Sequence, residues 1–384
     1  MSFYVPQHTR SIFAPVPAFT FSSAQMEECR AYLANRSAHT ECVPIVDEAQ
    51  LTLAGDGRLV ENSYRFNPIG FEALSNALSR GLSLIFNELS GEVSSRQLYG
   101  GTLDDIATAV SIYNMTLRVR FDAIRERTLL VNHQERAIEG FLGLDHRMLD
   151  NTEFFDLVCR SLQDHQENAQ FSRAEIIGRE LRLFFIDSKS RRNDIHPDPQ
   201  HTFATGWYFS NREDTGQAVR AALCFYTKFG PAFEPFTASS KVVQSGADMY
   251  GRTSALVSRT ASRSFDMTAI AKNIKRLLST PLKYSDSKPS FDEAMRYWTA
   301  YLTKYKIKLD MARTVSRNAA MVGSDLKPRE AVEVYTKTVL EKRSMYDLLC
   351  SMLRTAKSEY VQSRDLLQGT ALQILLPELK SRSR

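Results

Sequence analysis

The chain has 384 residues, 43% of them hydrophobic and 24% charged, and a formal net charge of +5. This composition is typical of a globular protein and excludes a largely disordered or collagen-like chain. No apolar run reaches the ~18 residues of a membrane-spanning helix, and the first residues show no signal peptide. The five cysteines contain no C-x-x-C pair. We therefore expect reduced thiols in a cytoplasmic protein, without a disulfide framework, a metal site or a cofactor.

The charge is distributed unevenly along the chain. Residues 237–384 carry 26 of the 49 lysines and arginines and 14 of the 44 acidic residues, a net charge of +12. Residues 1–236 are left with a net charge of −7. This asymmetry favours a polyanionic partner for the basic part. The alternative is a lysine-rich surface that contacts only solvent.

Alternation of apolar and polar residues predicts a series of short strands. Residues 1–20 contain three prolines and predict an extended arm instead. Turn residues at 54–58 and 132–135 are typical of hairpins. The predicted strands cover residues 42–46, 51–53, 59–66, 115–121, 128–131, 137–144, 181–186, 203–209 and 218–227.

Apolar residues at helical spacing predict helices between these strands. A short helix capped by Ser22 or Ser23 ends at Asn35, another covers residues 103–110, and a third begins after an Asn151 cap and ends near His165. A longer helix covers residues 69–89. Its apolar face consists of Phe71, Leu74, Leu78, Leu82 and Phe86.

Helices and strands in this mixed order, without regular β-α-β alternation, predict an α+β fold with a mixed, mainly antiparallel sheet. Long helical patterns and an excess of basic residues follow residue 236. We therefore divide the chain into an N-terminal arm with a short helix (1–40), an α+β sheet domain (41–236) and a basic, mostly helical region (237–384).

Residues 181–230 combine three aromatic strand-like runs with polar connections, a usual place for functional residues. The first connection contains Arg191, Arg192 and, within residues 194–201, two histidines and two aspartates. Their spacing matches no known metal site, so we interpret this connection as a solvated loop. The second contains Asn211, Glu213 and Asp214, which suit cation binding or acid–base chemistry. At this density, however, such residues more often form a turn. The central Cys224 we interpret as a core residue.

Two segments carry a resemblance to a known family. A hairpin of the form L-V-x-x-x-x-x-R-A followed by L-S-x-x-Y-R-P-L-D-N is matched by Arg136, Ala137, Phe141, Leu142, Arg147, Leu149, Asp150 and Asn151, whereas Gly143, His146 and Met148 depart from it. A strand and turn of the form G-x-x-x-S-N-S-E-x-G is matched by Ser210, Asn211 and Glu213, whereas Arg212 and the spacing of Gly216 depart from it. Residues 228–230 stand where a C-x-N-G is usual.

Over about residues 45–235, these motifs resemble the phage- and plasmid-borne family catalogued as "domain of unknown function nine-thirty-two". The resemblance implies a phage or mobile-element origin, and hence a bacterial or phage-infected cell, without an established activity. Members tend to be encoded near replication and recombination functions, which favours a nucleic-acid partner.

Two groups of residues in the basic region predict nucleic-acid binding. Arg252, Arg259 and Arg263 would share one helix face beside small hydroxyl residues that let a phosphate approach. Tyr297, Tyr301 and Tyr305 repeat every four residues among lysines, which suits stacking on unpaired bases. A tyrosine stripe packed against the sheet domain is the alternative. The complete set of predicted binding residues is Arg191, Arg192, Arg252, Arg259, Arg263, Lys272, Lys275, Arg276, Arg296, Tyr297, Tyr301, Lys304, Tyr305, Lys306 and Lys308.

No nucleotide-binding glycine fingerprint, G-x-S-x-G or H-E-x-x-H motif occurs, so we assign no catalytic residue. We predict a non-enzymatic protein that binds single-stranded nucleic acid, DNA in preference to RNA, in replication or recombination. The alternative is a self-assembling structural or interaction protein that uses its C-terminal helices, above all residues 329–368. An enzyme that uses the loops within residues 187–214 is a third hypothesis. A homo-oligomer is compatible with each of these.

Overall fold

A computed structural model describes residues 13–79, 82, 103–143, 148–191, 202–214, 219–228, 233–242, 257–262 and 272. Within these residues, helices and mainly antiparallel strands follow one another in mixed order, which confirms the α+β class. The predicted basic helical region lies almost entirely outside the described residues. Among the helices that are described, none combines the length and the apolar character needed to cross a bilayer.

The described part contains four α-helices, three 3-10 turns and ten strands. The helices are α1 (Met26–Ala38), α2 (Pro68–Leu78), α3 (Leu103–Arg120) and α4 (Asn151–His165), and the 3-10 turns are Glu48–Leu51, Phe121–Ala123 and Ser188–Ser190. The strands are β1 (Ala18–Ser22), β2 (Thr40–Pro44), β3 (Arg65–Phe66), β4 (Thr128–Asn132), β5 (Ala137–Leu142), β6 (Ala169–Ile177), β7 (Glu180–Asp187), β8 (Thr202–Arg212), β9 (Arg220–Lys228) and β10 (Phe233–Val242).

Four strands form a small sheet in the order β2-β4-β5-β3. Strands β4 and β5 are the predicted hairpin, with Thr128 opposite Leu142, and β2 pairs antiparallel to β4. The short β3 pairs parallel to β5, so this sheet is mixed, as predicted. Of the predicted strand at residues 59–66, only Arg65–Phe66 is a strand; Leu59 makes a single bridge to Leu53 across the predicted turn.

Helices α2 and α3 supply the apolar core of the small sheet. Asn67 caps α2 by accepting a hydrogen bond from the Gly70 amide at 2.6 Å, and Pro68 occupies the first turn. The predicted apolar face is confirmed at Phe71, Leu74, Leu78 and Leu82, which are all buried, whereas Phe86 lies outside the described residues. The prediction of one helix over residues 69–89 is wrong, because α2 ends at Leu78 and the backbone of Ser79 is extended.

Two further predictions are corrected by the helices. Residues 115–120, predicted as part of a strand, belong to α3. The run M-T-L-R-V-R-F alternates as a strand does, but burial of Tyr113 and Leu117 with exposure of Met115 and Val119 follows the helical period. The residue that caps α4 is Asp150, and Asn151 is the first residue of the helix.

The other six strands form a sheet in the order β1-β6-β7-β8-β9-β10. The predicted strands β7, β8 and β9 are confirmed. Strands β7 and β8 are longer than expected, β9 begins and ends slightly later than expected, and Cys224 is buried in β9. Strand β1 lies in the segment predicted as an extended arm and pairs antiparallel to β6, which the sequence did not predict. Strands β6 and β7 are joined by two residues, of which Gly178 has a φ of +54°.

By chain contacts, the protein divides into two compact units. The first comprises Met1–Phe185, Tyr208–Ala221 and Lys241–Ser262, and the second comprises Ile186–Trp207, Ala222–Ser240 and Arg263–Arg384. The division therefore passes within strands β7, β8, β9 and β10. Residue 236, where we set the end of the sheet domain, also lies within β10. The division at residues 40 and 236 stays a prediction.

Candidate functional site

Three of the predicted nucleic-acid-binding residues are described, and all three are exposed: Arg191, Arg259 and Lys272. Arg259 lies on a helical turn at residues 257–261, whose opposite side buries Val257 and Ala261. Thr260, one of the small hydroxyl residues that we expected beside a phosphate, is buried as well. The predicted residues outside the described part are Arg192, Arg252, Arg263, Lys275, Arg276, Arg296, Tyr297, Tyr301, Lys304, Tyr305, Lys306 and Lys308, and the loop 194–201 is outside it as well.

The most highly organised polar site in the described part is one that the sequence did not predict. Arg36 of α1, Glu139 of β5, Arg179 of the β6–β7 turn and Glu213 at the end of β8 are all buried and form a continuous chain of ion pairs. We call these four residues the ionic junction. All of them belong to the first compact unit. The junction ties together segments that are up to 177 positions apart in the sequence, from Arg36 to Glu213.

Arg179 is the centre of the ionic junction. Its Nε donates to Glu139, one Nη donates to Glu213 at 3.2 Å, and the other Nη donates to the Thr40 hydroxyl. Its carbonyl oxygen accepts hydrogen bonds from the Glu213 amide at 3.2 Å and from the Asn151 side chain at 3.1 Å. A planar guanidinium with a fixed fork of donors is suited to hold two carboxylates in a defined geometry. Arg179 therefore fixes the ends of three elements at once.

Glu139 connects the two arginines of the junction. Arg36 donates to its other carboxylate oxygen at 2.5 Å and also to the Gly178 carbonyl at 2.7 Å. Glu135, an exposed residue of the β4–β5 turn, hydrogen-bonds to Glu139, and partial burial of its carboxyl group raises the pKa of Glu135. Glu135 also lines a cavity of about 250 Å³ together with Ala14, Pro15 and Pro17. Through Glu135, the junction thus extends to this largely apolar cavity.

Glu213 places its carboxyl group at the N-terminus of α4. The Asn151 amide donates to it at 2.6 Å, as expected where a helix end presents unpaired N–H groups to an acceptor. Despite this bond and the Arg179 pair, burial and, to a smaller extent, the charge of nearby Asp150 raise the pKa of Glu213 to about 7. Glu213 is therefore a buried group that exchanges a proton near neutral pH.

Neighbouring residues complete the packing around Glu213. The Asn211 side chain donates to the Leu149 carbonyl at 2.7 Å and to the Asn151 side chain at 2.9 Å. Arg212 pairs with the buried Asp214 at 2.6 Å. Strand β5 has Gly140 at this point, where a Cβ atom would lie 3.1 Å from the Asp214 Cα. A glycine therefore permits the close approach of the two chain segments.

These contacts add to the interpretation of Asn211, Glu213 and Asp214 as turn-forming residues. All three are buried, because each finds its partners inside the protein. In the sequence, residues 211–214 show only an amide, a basic group and two acidic groups in succession. This order does not reveal which residues of other elements they contact. Within the described residues, no His, Cys, Asp or Glu side chains are grouped as a metal ion would require.

Four of the residues on which the predicted family resemblance rests lie close together at this site. Asp150 and Asn151 of the first motif meet Asn211 and Glu213 of the second through the contacts given above. No protein-family model, curated protein or solved structure matches the chain. The family assignment therefore stays a prediction. The four side chains of the junction are buried and joined by ion pairs, although the Arg36 Nε has no hydrogen-bond partner among the described residues. Such a cluster suits fixing the fold and exchanging a proton.

Proposed function

We propose that the protein binds single-stranded nucleic acid, DNA in preference to RNA, and acts without enzymatic activity in the replication or recombination of a phage or mobile element. Its place of action would be the cytoplasm of a bacterial or phage-infected cell. The observation that carries the proposal is the charge of residues 237–384, a net +12 against −7 for the rest of the chain. Such a positive excess attracts a polyanion and releases its counterions.

The ion pairs of the described part support this assignment to the basic region. Arg36, Arg179, Arg182 and Arg212 are largely buried, and each is paired with a carboxylate of the same compact unit. Arginines held in this way are not presented to phosphates. A polyanion would instead meet exposed cations such as Arg259, which lies in the predicted binding set.

A salt titration of binding tests the proposal. Affinity for a fluorescent single-stranded oligonucleotide should fall steeply with salt, and each phosphate contact adds about 0.7 to the log–log slope. Replacing Arg252, Arg259 and Arg263 with Ala should flatten the slope by up to about 2. The matched control replaces Arg58, Arg120 and Arg125, three exposed arginines of the acidic part, and should leave the slope unchanged. Equal effects of the two triple variants would reject a binding track in the basic region.

The tyrosine repeat separates nucleic-acid binding from the self-assembly alternative. If Tyr297, Tyr301 and Tyr305 stack on bases, each Tyr→Ala change should cost about 1–3 kcal/mol of single-strand affinity with little loss of stability. Tyr→Phe should preserve binding, because the ring still stacks, and Lys304→Ala should weaken binding in a salt-dependent way. If the tyrosines are core residues, each Ala change should instead cost about 3–5 kcal/mol of folding stability. That result, together with normal binding by Lys304→Ala, would favour self-assembly. Matched DNA and RNA oligonucleotides test the preference for DNA.

A further inference from the structure

The cavity beside the β4–β5 turn has a charged group at its mouth and apolar walls. It measures about 250 Å³ and is lined by Ala14, Pro15, Pro17 and Glu135, and we call it the Glu135 cavity. Binding sites for drug-sized molecules usually measure about 300–1,000 Å³, so this cavity suits a smaller molecule. Because Pro15 and Glu135 are exposed, the cavity is open to solvent and accessible to a ligand.

The apolar wall of the Glu135 cavity is held in place at both ends. The Ala14 amide donates to the Phe66 carbonyl of β3 at 2.8 Å, and the Pro17 carbonyl accepts from the Gly178 amide at 2.8 Å. The rings of Pro15 and Pro17 fix the φ angles of this segment. The wall is therefore preformed, and a ligand does not have to order it on binding.

Glu135 supplies a carboxyl group that has no cation of its own. Among the residues that the structure describes, Glu135 forms no ion pair, and its carboxyl group hydrogen-bonds to that of Glu139 instead. A hydrogen bond between two carboxyl groups requires a proton on one of them. Both oxygens of Glu139 already accept bonds from Arg36 and Arg179, so the proton belongs to Glu135.

The charges around Glu135 decide what the cavity attracts. Glu135 and the ionic junction together contain three carboxyl groups and two guanidinium groups. Arg36 is already engaged with Glu139 and with the Gly178 carbonyl. Tyr32 of α1 lies within electrostatic reach of Glu135, but its neutral phenol supplies no positive charge. A third positive charge, from a proton or from a bound cation, therefore balances the cluster.

We propose that the Glu135 cavity binds a small organic ammonium ion. The N–H groups of the ligand donate to the Glu135 carboxylate, and its short hydrocarbon body lies against Ala14, Pro15 and Pro17. The Glu135 proton passes to solvent as the ammonium ion binds, so the total charge of the cluster stays the same. A neutral or negative ligand of the same shape lacks this compensation. The site lies in the acidic part of the chain and does not depend on nucleic-acid binding.

Calorimetric titration of the full chain with butylammonium chloride at constant ionic strength tests the proposal. Butanol and butyrate have a similar hydrocarbon body with a neutral and a negative end, so both should bind at least about tenfold more weakly. Tetrabutylammonium keeps the charge but has no N–H donor and is too bulky for the cavity, and it should not bind. Because the proton competes with the ammonium ion, affinity should fall and proton release should rise as the pH is lowered from about 7 to about 5.

Glu135→Gln separates ligand binding from folding. The glutamine amide still donates to Glu139, as the protonated carboxyl group does, so the melting curve should be unchanged. Affinity for butylammonium should fall at least about tenfold, because the negative charge is lost. The matched control is Glu167→Gln, which removes the same charge at an exposed residue beyond the C-terminal end of α4 and should bind as the wild type does.

Three results would overturn the proposal. The first is a wild-type chain that binds no butylammonium at any concentration, and the second is equal binding of butanol and butylammonium. The third is a Glu135→Gln variant that binds as well as the wild type. Should Glu135→Gln lower the melting temperature, the comparison of ligands and the proton release, both measured on the wild type, still decide.

Discussion

The apolar core of the small sheet and the ionic junction bury side chains equally well but by opposite chemistry. In the core, Leu74, Leu78 and Leu117 are removed from water by contacts that need no particular direction. In the junction, Glu139 and Arg179 are just as inaccessible, yet each must meet a partner of opposite charge in a fixed geometry. The core therefore stabilises the fold in proportion to its area. The junction instead specifies where the end of α1, the middle of β5, the β6–β7 turn and the end of β8 must meet.

Loss of Arg179 should give the largest effect. Arg179→Met keeps the length of the side chain but leaves Glu139 and Glu213 without this cation, which should cost about 3–5 kcal/mol of unfolding free energy. Urea unfolding at neutral pH measures it. Adding Glu213→Gln should recover part of the loss, because one uncompensated carboxylate is then removed.

A core substitution gives the contrasting control. Leu74→Ala should cost about 2–5 kcal/mol through the cavity that it leaves. Glu213→Gln should add to this loss independently, since Leu74 has no part in the junction. The junction would not act as a coupled ionic unit if Glu213→Gln restored stability to Leu74→Ala. The same conclusion would follow if Glu213→Gln restored no stability to Arg179→Met.

The second effect depends on pH. The folded protein holds the Glu213 proton up to about pH 7, whereas the ordinary pKa of a glutamate is 4.5. The stability contributed by this proton is complete below pH 4.5 and is lost as the pH rises through 7, by up to about 3 kcal/mol. Unfolding free energies of wild type and Glu213→Gln should therefore diverge between about pH 5 and pH 8. Parallel pH profiles would show that Glu213 is ionised throughout this range.

The sequence predicted the core much better than the junction, for a physical reason. Burial of an apolar face leaves a period of 3.6 residues in the sequence, and this period predicted the burial of Phe71, Leu74 and Leu78. An ion pair between distant elements leaves no period in either one. Glu139 looks like a polar interruption of an apolar strand, because its partners are 103 and 40 positions away.

The same limit explains the errors in secondary structure. In α3, the alternating run that begins at Met115 is compatible with a strand and with a helix. Tyr113, which precedes the run, lies four residues before Leu117, and this spacing favours the helix. Strand β6 contains Gln170, Ser172 and Arg173, which suppress the usual strand signal. Its partners β1 and β7 supply the stability that its own composition does not indicate. Local patterns therefore predict elements that pack by area more reliably than elements defined by their neighbours.

The third effect tests the close approach at the junction. Gly140→Ala would place a Cβ atom 3.1 Å from the Asp214 Cα, which forces backbone to move and should cost about 1–3 kcal/mol. Gly143→Ala is the matched control, because a Cβ atom at Gly143 meets nothing within 4 Å. Thermal unfolding of both variants measures the difference. Equal melting temperatures would show that the contact between β5 and the end of β8 yields without cost.

The smallest effect concerns the charge of Asp150 apart from its role as the cap of α4. Asp150 accepts hydrogen bonds from the Thr152 and Glu153 amides at 2.7 and 3.3 Å, and Asn caps a helix about as well as Asp. Asp150→Asn should therefore change stability by less than about 0.5 kcal/mol, whereas Asp150→Ala should lose about 0.5–2 kcal/mol. The Asp150 charge is one cause of the raised pKa of Glu213, so Asp150→Asn should lower that pKa. The difference in unfolding free energy between Glu213 and Glu213→Gln proteins changes with pH. When both proteins also carry Asp150→Asn, the midpoint of this change should lie at lower pH. An unmoved midpoint would show that Asp150 acts on α4 only as a cap, and that burial alone sets the proton affinity of Glu213.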